Sequence, residues 1–252
     1  SFKPTASEIN YLLGWLVKGF FLPLMFVFLV RNLEFLRGIS ADSYRFLPSY
    51  LYDLSYNSLF FIDVLVGAVG YASTLKLLGT EIRSTEPTLM GWIVAIVCYP
   101  PFWTTIEASY LSYGHGRPWG AFFAGSPVLY TIWGAAIIFC VFVYVWATVT
   151  FGIRFSNLTH RGIITSGPYR WTKHPAYLAK NTSWWLVSIP FLPPDGSILT
   201  AIKLALMLGS VNIIYYLRAV TEERHLSYDP VYRQYCDYIR HNGLFGSFSR
   251  WF

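Results

Sequence analysis

The chain has 252 residues, of which 54% are hydrophobic, 19% aromatic and only 13% charged. Soluble domains carry about a quarter charged residues, and here the apolar residues gather into long runs, so the composition excludes an ordinary soluble domain and indicates one integral membrane domain without a linker. The net charge of +6 suits a basic surface against anionic lipid headgroups rather than nucleic acid, and the three cysteines, Cys98, Cys140 and Cys236, indicate neither a disulfide framework nor a zinc site.

The first apolar run, residues 11–30, is long enough to cross about 30 Å of hydrocarbon and too long for a signal peptide. Lys18 interrupts it, either snorkelling or facing an acidic group. Residues 31–57 are mixed and aromatic, broken by Pro48, and read as an interfacial segment. A second span, residues 57–78, carries Asp63, a carboxylate that is either functional or paired with Lys18 or a tyrosine hydroxyl. Lys76, Glu81, Arg83 and Glu86 then make a short polar turn before Pro87. The third span, residues 88–105, is interrupted by Pro100-Pro101, and Gly114-His115-Gly116-Arg117 beyond it reads as a turn.

The fourth span, residues 127–150, is the cleanest and exits into Arg154, His160, Arg161, Arg170 and Lys173 with no acidic residue among them. By the excess of positive charge this loop is cytoplasmic. Spans five and six, residues 176–192 and 197–216, form a helical hairpin about a turn at Pro193-Pro194-Asp195-Gly196. The expectation is an all-α integral membrane protein with about six transmembrane helices and both termini cytoplasmic. Arg31, Arg37 and Arg45, in the loop after the first span, fit that orientation poorly.

Two polar segments carry the chemistry. In Gly167-Pro168-Tyr169-Arg170-Trp171-Thr172-Lys173-His174-Pro175-Ala176-Tyr177, a basic loop becomes an apolar helix. Pro175 at the first helical position sets His174 at the N-cap, and a helix N-terminus beside two cations is suited to an anion. Tyr169, Trp171 and Tyr177 are placed to stack on a heteroaromatic ring, although an aromatic-basic membrane belt uses the same residue types. In the second segment, Arg218, Glu222 and Leu226 share one helical face with Glu223 beside it, either a functional acidic pair or a solvated helix end. Tyr232, Tyr235 and Ile239 recur at helical spacing in a stretch that also holds Arg233 and Arg240, an amphipathic helix suited to cover a site at the membrane surface.

Gly167-Pro168-Tyr169-Arg170-x-x-Lys173-His174-Pro175-x-Tyr177, a hairpin, Arg218-x-x-x-Glu222-Glu223-x-x-Leu226 and Tyr232-x-x-Tyr235-x-x-x-Ile239 together resemble the isoprenylcysteine carboxyl methyltransferases and their relatives, the membrane phospholipid methyltransferases. The resemblance covers residues 152–243 and separates an N-terminal set of helices, residues 1–126, from a methyltransferase-like core, residues 127–252. It implies an S-adenosylmethionine site on the cytoplasmic face, formed by the 151–176 loop and the C-terminal helical segment. Gly167, Tyr169, Lys173, His174, Pro175, Tyr177, Glu222, Glu223 and Tyr235 would bind the cofactor. Arg218 and Glu222 would serve the chemistry, on a membrane lipid or lipid-modified substrate drawn from the bilayer. For a carboxylate or phosphate acceptor Arg218 orients the anion; for an amine, Glu222 is available as a base.

Two departures from the family pattern stand out. Lys173 replaces the usual arginine, keeping charge but losing the bidentate fork. Ala179 stands where glycine is common, followed by Lys180-Asn181, which are suited to an anionic headgroup. The alternatives are a sterol-reductase-like oxidoreductase using NADPH, for which Pro175-Ala176-Tyr177 and Lys180 match poorly, and a membrane protein whose charged ends only bind lipid.

Overall fold

The computed structural model of the chain describes residues 4–44, 46–110, 119–188 and 196–245. The expected turns at 114–117 and 193–195, and Arg45, lie outside them. The helices are α1 Ala6–Gly38, α2 Leu47–Ala72, α3 Leu89–Ile96, α4 Phe102–Tyr110, α5 Pro127–Phe151, α6 Pro175–Ser188, α7 Ile198–Leu226 and α8 Pro230–Asn242. A short antiparallel pair, β1 Ser84–Thr85 and β2 Thr159–His160, is set in register by Ser84 opposite His160.

Local signals start several of these helices. Thr5 and Glu8 close a capping box on α1, and Ser126 caps α5 just ahead of Pro127. The Asp229 side chain accepts from the Val231 amide at the start of α8. Gly152, at φ +52°, ends α5 in a backbone conformation that a side chain disfavours.

Four of the helices, α1, α2, α5 with its extension to Arg154, and α7, are long and apolar enough to cross a membrane. Their outward faces are greasy: Ile132, Phe139 and Leu206 are 62%, 66% and 70% exposed, a surface that suits lipid and not water. Six spans were expected. Of the remaining segments, α3 and α4 have 8 and 9 residues and α6 has 14 described ones. At 1.5 Å per residue an eight-residue helix rises only about 12 Å, because Pro100-Pro101 breaks the third apolar run. The α2 helix starts ten residues before the expected second span and α7 continues ten beyond the sixth, without interruption, to Leu226.

The contacts gather one end of each long element. The Asn10 side-chain oxygen, in the first turns of α1, accepts from the Thr85 amide at 2.7 Å, and β1 pairs with β2 beyond the end of α5. Arg161 reaches the carbonyls of Gly70 and Ser73 at the end of α2, and Glu86, just before α3, meets Arg224 near the end of α7. At the opposite end Phe46, which precedes α2, lies edge to face with Tyr130 of α5, centroids 4.9 Å apart. Trp103 of α4 stacks on Trp184, well along α6 from its start. Among the described residues these contacts order six legs between two ends, the third made of α3 and α4.

Two charged residues within the long apolar helices meet tyrosine and tryptophan partners. Asp63 accepts from the Tyr144 hydroxyl at 2.7 Å, the tyrosine alternative of the two expected, while the Lys18 ammonium lies 5.2 Å over the Trp15 ring of its own helix. Phe21 stacks on Tyr71 at 5.4 Å between α1 and α2, and Ile137, Val141 and Val145 fill the centre along α5.

Candidate functional site

At the end where β1 meets β2, a cavity with about 1380 Å³ of empty volume, its open mouth included, lies between α3, α5, α6, α7 and α8 and under the 154–164 loop. The first motif forms its rim. The His174 carbonyl accepts the Leu178 amide at 3.1 Å, so His174 is the N-cap of α6 and Pro175 begins the helix. Gly167 adopts φ +57°, and a Cβ there would lie 2.6 Å from Thr150 Oγ1, so only glycine lets this turn close on α5. Tyr235 stitches α8 onto the same turn: its hydroxyl donates to the Tyr169 carbonyl at 2.8 Å and the Thr172 carbonyl at 3.3 Å. Burial pushes the Tyr169 and Tyr235 phenols above their ordinary range, which keeps them protonated donors.

The two polar segments meet across the mouth. Glu223 takes Lys173 Nζ at 2.5 Å on one oxygen and His174 Nε2 at 2.8 Å on the other. An ionised carboxylate only accepts, so that imidazole nitrogen carries the hydrogen. Glu222, one residue earlier, accepts from the Tyr177 hydroxyl and from Arg218 Nε at 3.3 Å, and its second oxygen stands 4.0 Å from His174 Nδ1. The His174 and Tyr177 rings stack in parallel at 5.4 Å.

Arg218 is 5% exposed and held from three sides. Its guanidinium carbon lies 5.1 Å over the Tyr177 ring and 5.9 Å from the rings of Tyr99 and Tyr215. Its Nη2 donates to the Asn157 side-chain carbonyl. Asn157 is itself fixed, because its amide nitrogen donates to Tyr71 and Tyr99 hydroxyls at 2.8 and 3.0 Å, leaving only the oxygen for Arg218. A buried cation held by one carboxylate, one amide oxygen and three aromatic faces is positioned rather than mobile.

Of the residues singled out in the sequence, Tyr169, Lys173, His174, Tyr177, Arg218, Glu222 and Tyr235 line the cavity. Gly167, Pro175 and Glu223 do not form its wall: Gly167 makes the turn, Pro175 starts α6, and Glu223 clamps Lys173 and His174. Asn181 faces α7 instead of the cavity, donating to the Tyr177 carbonyl and accepting from Asn212 at 2.6 Å. Lys180 does line the cavity.

Asn157, Tyr99, His225 and Glu86 also line it, and the sequence reading missed them as site residues. Glu86, which the sequence sets in a short polar turn, is 2% exposed. It accepts from the Thr88 amide at 3.0 Å and from Arg224 at 3.3 Å, and Gly91 leaves it room, since a Cβ there would lie 2.3 Å from its Cγ. No local spacing signals this contact, because Glu86 precedes the helix that begins at Leu89 and Gly91 lies five residues on. Nearby, His160 lies 3.3 Å from Asp229. Burial lowers the His160 pKa, with Arg83 acting in the same direction and Asp229 opposing.

Residues 128–228 match the model of the isoprenylcysteine carboxyl methyltransferase (ICMT) family. This bears out the resemblance carried by the paired motifs and moves its bounds, taking in nearly all of α5 and stopping before Tyr232 and Tyr235 of α8. The match leaves α1 to α4 outside it. No curated protein and no solved structure matches the chain.

Proposed function

We propose that this chain is a membrane methyltransferase that takes its methyl group from S-adenosylmethionine and delivers it to a lipophilic acceptor. The observation that carries the reading is that the two segments of the family match, Lys173-His174-Pro175 and Glu222-Glu223, close one cavity through the contacts of Glu223 with Lys173 and His174. The residues present suit the donor's chemistry: tyrosine rings for a purine, a carboxylate beside them for a cationic centre or a ribose diol, and Lys173 for a carboxylate.

When bound, S-adenosylmethionine supplies an electrophilic methyl group. In-line displacement at such a carbon needs alignment and exclusion of water more than proton transfer. The protein's part follows from that. His174 and Tyr177 present a stacked aromatic wall, Tyr232 and Tyr235 of α8 cover the mouth, and Glu222 places negative charge beside the rings. Arg218, preset by Asn157 and Glu222, is oriented to hold an anionic or polar acceptor atom. Lys173, His174, Tyr177, Glu222 and Tyr235 form the donor side of this reading, with Gly167 and Pro175 shaping the turn and Glu223 fixing the rim. Arg218 is the acceptor side. All six legs would cross the bilayer or enter it, with the basic 152–174 loop and both termini on the cytoplasmic side.

The test is calorimetric titration of the detergent-purified protein with S-adenosylhomocysteine and, separately, with NADPH. Saturable binding of the first alone is expected. Glu222→Ala and His174→Ala should each weaken it about tenfold or more, the effect of losing one buried charge-assisted contact. NADPH binding in its place, or full affinity in both variants, would overturn the reading.

A further inference from the structure

The cavity continues past Arg218 into the bundle. Along α6, His174, Tyr177, Lys180 and Trp184 follow one another on one face, so Lys180 sits about 9 Å below the rim. Its ammonium lies 5.1 Å from the Tyr144 ring centroid, 5.3 Å from Trp184 and 5.9 Å from Tyr215. The Tyr215 ring is equally far from the Arg218 guanidinium carbon, so the two cations face one aromatic ring from neighbouring positions along the cavity.

This cage is unusual in what it withholds. Lys180 has three N–H donors, and three ring faces attract its charge without offering a lone pair. Among the described residues it has no hydrogen-bonded acceptor and no carboxylate within ion-pair distance. Asp63, bound to the hydroxyl of the Tyr144 whose ring faces Lys180, has one oxygen occupied by that hydroxyl and the other buried without a partner. An ammonium at this depth is costly unless its donors meet acceptors, and a cationic side chain inside a membrane domain marks a place where an ion or substrate is handled. Arg218 differs, since Glu222 and Asn157 already take two of its five N–H donors.

We propose that Lys180 is the specificity residue for the acceptor, docking an anionic head, a carboxylate or a phosphate, carried by an amphiphile whose chain lies among the helices. This rests on the methyltransferase reading for its catalytic meaning, but the docking itself is measurable without any donor. Asp63 of α2 shares Tyr144 with this cation, through the hydroxyl while Lys180 takes the ring, so replacing the carboxylate by an amide removes a competing acidic group and strengthens the anion site.

The experiment uses the full chain in maltoside micelles and follows tryptophan fluorescence, for which Trp184 in the cage is the reporter. Hexadecanoate, hexadecyl phosphate and neutral hexadecanol are titrated in parallel, so the two anionic arms separate carboxylate from phosphate. An anion is expected to bind about tenfold tighter than the alcohol, the effect of one charge-assisted contact worth about 1.4 kcal/mol. Lys180→Met should remove the preference, Lys180→Arg should keep it, and Asp63→Asn should enlarge it. S-adenosylhomocysteine affinity, measured on the same samples, reports whether the rim is intact. An undiminished preference in Lys180→Met, or a preference lost equally in Lys180→Arg, overturns the proposal. Absence of S-adenosylhomocysteine binding in a wild type that keeps a Lys180-dependent preference would overturn the methyltransferase reading alone.

Discussion

Replacing Arg161 by methionine tests the frame that carries the site. Arg161 is 3% exposed and ties the 154–164 loop to the end of α2. Its Nε donates to the Thr80 carbonyl at 2.7 Å, and its Nη1 to the carbonyls of Gly70 at 2.8 Å and Phe155 at 3.0 Å. A fourth contact, to Ser73 at 3.4 Å, matters less because the Thr80 hydroxyl also donates there. Methionine fills much of the volume but donates nothing, so three enclosed carbonyls lose a charged donor. At about 1 to 2 kcal/mol each the loss totals about 3 to 6 kcal/mol. One effect opposes this: burial lowers the Arg161 pKa, a sign that the charge pays a desolvation cost that methionine removes. The lower half of the range, about 3 kcal/mol, is therefore expected, and in a chain of this length it shifts the melting temperature by about 6 to 12 °C. Thermal unfolding in maltoside, followed by tryptophan fluorescence, reads it directly. Arg161→Lys should fall between, since one ammonium cannot reach carbonyls on three sides. Because the same loop carries Asn157, S-adenosylhomocysteine affinity should fall with stability. A methionine variant melting within 2 °C of wild type would refute the assignment of Arg161 as the tie between α2 and the loop.

Two further outcomes follow from the same end of the molecule. Gly91→Ala should destabilise by about 2 kcal/mol, the usual scale of overpacking, because its methyl group displaces Glu86 from Thr88 and Arg224. In the Gly91→Ala/Glu86→Ala double variant the second change should cost much less than it does alone; strict additivity in melting experiments would count against the contact. The depressed His160 pKa predicts a pH effect of definite sign. Below the ordinary value of 6.5 the unfolded chain binds a proton that the folded one resists, so His160 costs no stability above that pH and progressively destabilises as pH falls from 6.5 toward its folded value. His160→Gln should melt with a shallower slope across that window than wild type, and an equal slope would exclude His160 as its source.

Much of the architecture is written locally. Runs of apolar side chains fix helices wherever they are long enough, and Ser126-Pro127 and Asp229-Pro230 start helices through contacts within one turn. The same locality made the two polar segments legible. Lys173-His174-Pro175 and Arg218-x-x-x-Glu222-Glu223 each lie within a few residues, and the family resemblance they carry holds over residues 128–228. Extent was less readable than existence, because hydropathy alone does not say where a helix leaves the apolar layer. The α7 helix continues to Leu226 to bring Glu222 and Glu223 to the rim.

Partners were decided by the tertiary structure. Asn157 meets Arg218 across 61 residues and Glu86 meets Arg224 across 138, and no pattern within a helical turn encodes such a pairing. The sequence left Asp63 two partners, and the packing of α2 on α5 chose Tyr144. Lys180 and Asn181 looked alike as neighbours in the chain. A rotation of about 100° per residue turns one into the cavity and the other onto Asn212 of α7, so the helix's orientation against its neighbours gave them different roles.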